Sequence, residues 1–295
     1  MRLVTFHYRG RTSIGIAESA EAGWRVIDLP LADRSLPADL ISFLQAGGEA
    51  LEKASTVAAT AVPNQWLDPH AVRLMAPIPR PGKIICLGAN YSEHIAESGT
   101  PTPEYPLIFA KFNSAVIGPY DPISIPRVTE QVDYEGELGV VIGRPARHVS
   151  VSDALHHVAG YLVVNDVSAR DYQSRGSQWT LGKSFDTFAP MGPTLVTADE
   201  VPNTQALDLR VSVGDEILQE SNTRQMIFPV ADLIAYLSAV MTLEIGDVIS
   251  TGTPSGVGAA RKPPRWLRAG ETVKVEVSGL GNLANPVVAE RAQDA

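Results

Sequence analysis

Near the N-terminus apolar and polar residues alternate through Arg2 to Tyr8, Thr12 to Glu18 and Trp24 to Leu29, with Gly10 and Gly23 between them. Period two of this kind predicts short strands joined by tight turns. The period then lengthens: Pro37 to Leu44 and Glu49 to Ala61 carry apolar residues at helical spacing. Prolines accumulate between Ala76 and Gly82 and end the pattern. A domain boundary is placed there, between a small α+β segment of residues 1–75 and a larger unit of residues 76–295.

Beyond Lys83 the chain favours extended structure at Ile84 to Gly88, Glu137 to Gly143, Gly160 to Asn165, Leu207 to Val213 and Thr272 to Val277. Val230, Leu233, Ile234, Leu237 and Met241 fall on one helical face, after Pro229 and before Gly246. That stripe reads as core. The expectation is an α+β, mainly β protein without repeats or heptads. The glycine turns Thr251 to Gly258 and Gly279 to Gly281 lack a phosphate-binding lysine and a dinucleotide fingerprint, so nucleotide binding has no support.

Composition narrows this reading. A net charge of -9 and the absence of any Lys/Arg-rich stretch argue against nucleic acid. Cys86 is the single cysteine, which excludes an internal disulfide, and its apolar setting predicts a buried thiol. No apolar leader precedes the first strand and no run of eighteen apolar residues occurs. The expectation is therefore a cytoplasmic protein without a membrane span.

The chemistry concentrates in three places. If Val132 to Gly143 is a strand, Leu138, Val140 and Ile142 share one face, and Glu135 and Glu137 share the other. Two neighbouring carboxylates oppose each other's ionisation, so they need a proton, a cationic partner or a metal. Asp166 ends the apolar run Gly160 to Asn165, where a sheet presents site residues. Three acids without Cys or paired His suit Mg2+ or Mn2+, although spacing alone equally allows a strand edge neutralised by Arg or Lys.

The second place is Asn90 to Gly99, a short helical turn on which His94 and Glu97 share a face. Glu97 there orients His94 as a general base, or the two form a surface ion pair. The third place is Asp166 to Phe188, where Arg170, Gln173 and Lys183 offer donors to an anionic substrate.

Taken in order, seven motifs resemble the fumarylacetoacetate hydrolase superfamily: Gly88-Ala-Asn-Tyr-x-x-His94, Ile108-Phe-x-Lys-Phe112, Asp133-Tyr-Glu-Gly-Glu137, Asn165-Asp-Val-Ser-Ala-Arg170, Gly182-Lys-Ser-Phe-Asp186, Ser221-Asn-Thr223 and Thr251-Gly-Thr-Pro254. The resemblance spans Lys83 to Val287. It implies a mixed β-sandwich roll with the smaller N-terminal domain of bacterial members, assembled as a homodimer. It also implies Mg2+ or Mn2+ on Glu135, Glu137 and Asp166, a His94–Glu97 dyad on a lid, and a site lysine at Lys183. Gln173 then matches a substrate-contacting glutamine, and Thr253 the turn that meets a substrate carboxylate. One departure is that Ile84 to Tyr91 contains no acid where the animal enzyme that names the family has a fourth ligand.

The activity so implied is metal-dependent chemistry on a small 2-oxo acid. Hydrolysis of a C–C bond in an acylpyruvate or fumarylpyruvate, with His94 activating water and a metal-stabilised enolate leaving, is the leading expectation. Isomerisation or decarboxylation of dienoate diacids and tautomerisation of oxaloacetate use the same enolate. A metal-binding interaction protein without catalysis is disfavoured because every expected catalytic position is occupied.

Overall fold

The computed structural model describes residues 1–20 and 23–291. The N-terminal alternation forms the strands Arg2–Tyr8, Arg11–Ala20 and Gly23–Asp28, in antiparallel register. Arg2 and Leu3 pair with Val196 and Leu195, so these strands extend a larger sheet. Among the described residues that sheet has eleven strands. Its path continues through Ala189–Thr197, Val158–Asn165, Gly136–Ile142, Val248–Ser250 and Ile84–Gly88 to the edge strand Leu107–Ala110. Val248–Ser250 runs parallel to Ile84–Gly88, which makes the sheet mixed.

A second sheet of five described strands runs Glu216–Asn222, Asp208–Val213, Thr272–Val277, Gly281–Ala289, Ile123–Ile125. It packs on the central strands of the first, and one continuous apolar core lies between them. The contact is close at Gly136, where an added Cβ would lie 2.4 Å from Val211 Cγ2 and 3.0 Å from Val275 Cγ1. Alternation then aims Leu138, Val140 and Ile142 the same way, into the core, and Glu137 to the opposite face. Each such apolar side chain contributes about 1.5–3 kcal/mol on burial. That offsets the several kcal/mol that each buried carboxylate on the other face costs. The architecture is the expected strand-rich sandwich with few helices.

The Val230–Val240 helix forms on the predicted stripe and buries Val230, Leu233, Ile234 and Leu237. Met241 has already left it in an extended conformation. No described helix is long and apolar enough to cross a membrane.

Candidate active site

Three acids meet on the face of the large sheet turned away from the second sheet. Gly136 pairs with Asn165 across the antiparallel strands, so the residues flanking the pair, Glu135 and Asp166, become neighbours. Asp166 N donates to Glu135 O at 2.8 Å, and Glu135 N to Asn165 Oδ1 at 3.0 Å, which fixes both backbones. One carboxylate oxygen each from Glu135, Glu137 and Asp166 lies within 4.8 Å of the others, and all three side chains are buried.

Cations face this cluster. Lys183 Nζ donates to Glu135 Oε2 at 2.6 Å and Asp166 Oδ2 at 2.8 Å, and Lys111 Nζ to Asp166 Oδ1 at 2.5 Å. Arg170 Nη2 reaches Glu135 Oε1 at 2.5 Å, while its Nε holds Asp133 Oδ2 at 2.8 Å. Burial alone would raise the Glu135 carboxyl, but Arg170 and Lys183 bring it down to about 2. Glu137 differs: burial, with Asp166 and Glu135 beside it, pushes its carboxyl well above the ordinary carboxylate range. Its Oε2 accepts Ser250 Oγ at 2.6 Å and Gly252 N at 2.8 Å, and Oε1 accepts no hydrogen bond among the described residues.

This donor set fits a divalent cation. It is all oxygen, convergent and buried, and the Glu137 carboxyl is the one left most in need of positive charge, which suits a hard ion such as Mg2+ or Mn2+. Among the described residues this is the only group of three or more potential ligands so placed.

The dyad sits on a helix, Ser92–Ser98, stopped by Gly99 in the left-handed conformation at φ 67°. His94 Nδ1 faces Glu97 Oε2 at 3.5 Å, close enough for charge attraction but outside a formed hydrogen bond, and that nitrogen is buried without a hydrogen-bond partner. Glu97 instead accepts Gly256 N through both oxygens, at 3.0 and 3.1 Å. Glu93 Oε2 accepts Ser221 Oγ at 2.7 Å, which ties the first turn of the helix to the second sheet. Through Gly256 N, Glu97 ties the helix to the turn that follows Ser250, and the same turn holds Glu137 through Gly252 N, so the helix adjoins the acidic cluster.

The remaining expected residues are also brought in. Gln173 Oε1 accepts Arg170 Nη1 at 2.9 Å. Three of the five N–H donors of Arg170 are thus used inside the protein. Thr253 lies beside the cluster, but its hydroxyl donates to Gly136 O at 3.0 Å and accepts from Gln219 Nε2 at 2.8 Å. Sequence reasoning gave no role to Lys111, Ser250, Gln219 or Asp133. For Lys111 the signal was the Ile108-Phe-x-Lys-Phe112 motif, and for Asp133 its place ahead of the glutamate pair. Ser250 and Gln219 carried none.

A strand-rich sandwich with a buried carboxylate triad and an adjoining His–Glu helix defines an enzyme of small-acid chemistry. The chain belongs to the fumarylacetoacetate hydrolase family: the model described as fumarylacetoacetate (FAA) hydrolase, C-terminal, matches residues 83–288. A Xenopus laevis protein named oxaloacetate tautomerase fahd2, mitochondrial, is 46% identical over 291 residues, covering 98% of this chain and 90% of its own. The structure of a fumarylacetoacetate hydrolase from Exiguobacterium antarcticum superposes with a TM-score of 0.86 at 37% identity, covering 98% of this chain and 100% of that one. A 2-hydroxyhepta-2,4-diene-1,7-dioate isomerase from Mycobacterium marinum gives 0.78 at 34%, covering 98% and 99%.

One expectation is corrected here. The cytoplasmic assignment does not stand, because the Xenopus laevis relative is named a mitochondrial protein. The expectation came from looking for an apolar leader, which is the mark of a secretory signal alone. A mitochondrial address is amphipathic and arginine-rich, so a search for an apolar leader does not test for it.

Proposed function

We propose that this enzyme is a divalent-metal-dependent tautomerase that interconverts the keto and enol forms of oxaloacetate. The observation that carries the reading is the His94–Glu97 helix tied to the turn that holds Glu137 of a buried carboxylate triad, in a chain 46% identical across 98% of its length to a protein named for that reaction. Tautomerisation moves one proton from C3 to the C2 oxygen and breaks no bond between heavy atoms. It therefore needs one base, one donor and no positioned water, a smaller requirement than the C–C hydrolysis first expected from the motifs.

Glu135, Glu137 and Asp166 would hold Mg2+ or Mn2+. Bound there, the ion would supply Lewis-acid polarisation of a 2-oxo acid, which makes its C3 proton more acidic. With Nδ1 turned to Glu97, His94 has Nε2 left to take the C3 proton. Glu97, fixed by Gly256 N, then stabilises the imidazolium. Burial alone would weaken the Lys183 ammonium, but Asp166 and Glu135 raise its pKa and keep it charged, so Nζ would hydrogen-bond the C2 oxygen and keep its proton, while the oxygen takes a proton from solvent, to which His94 returns the one from C3. Gln173 and the two unused N–H groups of Arg170 are the candidates for the distal carboxylate.

The test follows oxaloacetate by enol absorbance and proton NMR with Mg2+ present, beside an acylpyruvate and a dienoate diacid. The expected result is fast keto–enol exchange without pyruvate release. Acylpyruvate cleavage with no acceleration of exchange would overturn the reading in favour of hydrolysis. Isomerisation of the dienoate is the second reading, supported by the similarity to the Mycobacterium marinum isomerase, because it too is a single proton shift by one base.

A further inference from the structure

The Glu135–Gly136–Glu137 segment is gripped from the second sheet. Gln219 Oε1 accepts Gly136 N at 3.0 Å, and Gln219 Nε2 donates to Thr253 Oγ1 at 2.8 Å and to Pro254 O at 2.9 Å. Thr253 Oγ1 closes the ring by donating to Gly136 O at 3.0 Å. Both polar groups of the one residue between the two glutamates are thereby fixed by two buried side chains, 1% and 5% exposed. The grip is possible because Gly136 has no side chain: a Cβ would enter the Val211 methyl.

A bulge puts Gln219 there. Val211 pairs with Gln219 and Ser212 with Ile217, so Leu218 is an extra residue in its strand. Alternation fails at that point and both Leu218 and Gln219 turn inward. A glutamine in a buried position of a core sheet costs free energy unless its amide is satisfied. Here both ends of the amide are bonded, to Gly136 and to the Thr253–Pro254 turn.

We infer that Gln219, acting with Thr253, is a positioning residue that sets the separation of the Glu135 and Glu137 carboxylates and so the metal affinity of the site. The inference rests on the metal reading above. It also gives Thr253 a bracing role distinct from contact with a substrate carboxylate. Outer partners of metal ligands typically govern affinity by about 10–100-fold.

Mn2+ titration followed by the EPR signal of free ion tests this on the full chain without substrate. Gln219→Met and Thr253→Val, confirmed as folded by circular dichroism, should each bind Mn2+ at least about tenfold more weakly. Thr253→Ser, which keeps the hydroxyl, should bind as the parent does. The double variant should lose little beyond either single one, because both break the same ring. If Gln219→Met does not fold, the Thr253→Val and Thr253→Ser pair decides. Parent-like affinity in Thr253→Val, or equal weakening in Thr253→Ser, overturns the inference while leaving the metal reading intact. Failure of the parent protein to bind Mn2+ sinks both.

Discussion

Lys183 Nζ lies 2.8 Å from Asp166 Oδ2, and both side chains are at most 2% exposed. The same ammonium reaches Glu135, so one buried cation joins two of the three acids that would hold the metal. A metal and this lysine draw on the same carboxylate charge, and on the tautomerase reading the lysine also meets the oxygen on which charge develops. Lys183→Met should therefore lower oxaloacetate turnover by about 10²–10³-fold, the usual loss for one charged donor at a developing oxyanion. Mn2+ affinity should be retained or tightened, since a competing cation is gone. Steady-state kinetics paired with Mn2+ titration reads both quantities, and unchanged turnover would remove Lys183 from the chemistry.

Metal removal should abolish activity without unfolding the chain. Lys111, Lys183 and Arg170 already pair with Glu135 and Asp166, and Glu137, whose carboxyl is pushed well above the ordinary range, can hold a proton, so the emptied cluster stays neutralised. EDTA should give an inactive, folded protein, and Mg2+ or Mn2+ should restore it. Saturating metal at about 100 times its Kd should add about 2.7 kcal/mol of stability, read as a rise in thermal midpoint. Glu137→Gln should abolish both the rise and the restoration. Full activity in the stripped protein would refute metal dependence.

What the chain reveals about this site follows from the range over which each relationship acts. Thr272–Val277 forms just where the alternation placed it, and Gly136–Ile142 is offset by one residue, because both are ruled by local period two. The same period put Glu135 and Glu137 on one face. Asp166 was legible as the end of an apolar strand. Lys111 stood in a motif, but its pairing with Asp166 was not legible, because the two lie 55 residues apart and only strand order joins them. Gln219 was hidden for another reason: a bulge turns it inward, and no pattern of polar and apolar residues records an inserted register shift. Arg170 was read as a substrate donor from its chemistry, while its contacts to Asp133 and Glu135 depend on the two-stranded pairing of Val132–Asp133 with Ser168–Ala169.

Cys86 should be inert. Burial pushes its thiol well above the ordinary cysteine range, and the Asp166 carboxylate adds to that shift more than Lys111 offsets it. Thiolate is the reactive species, so a neutral-pH thiol reagent should not label the native protein in minutes and should label it fully in denaturant. Rapid native labelling without loss of structure would mean that the strand Ile84–Gly88 opens.

Two glycines make opposite predictions from the same substitution. At Gly136 a methyl would lie 2.4 Å from Val211 Cγ2, and Val211 is β-branched and confined in the core beside Leu209 and Val275. The strand must shift to admit it, at about 1–3 kcal/mol for overpacking. That shift also moves the peptide between the two glutamates, so Gly136→Ala should lose Mn2+ affinity together with stability. At Gly48, inside the helix Gly47–Thr60, a methyl meets nothing within 4 Å. Gly48→Ala should stabilise the protein by about 0.5–1 kcal/mol through helix propensity and leave Mn2+ binding unchanged. Denaturant midpoints and Mn2+ titrations on both variants check the pair. A Gly136→Ala protein that binds Mn2+ as tightly as the parent would mean that the spacing of Glu135 and Glu137 is not set by the close contact between the sheets.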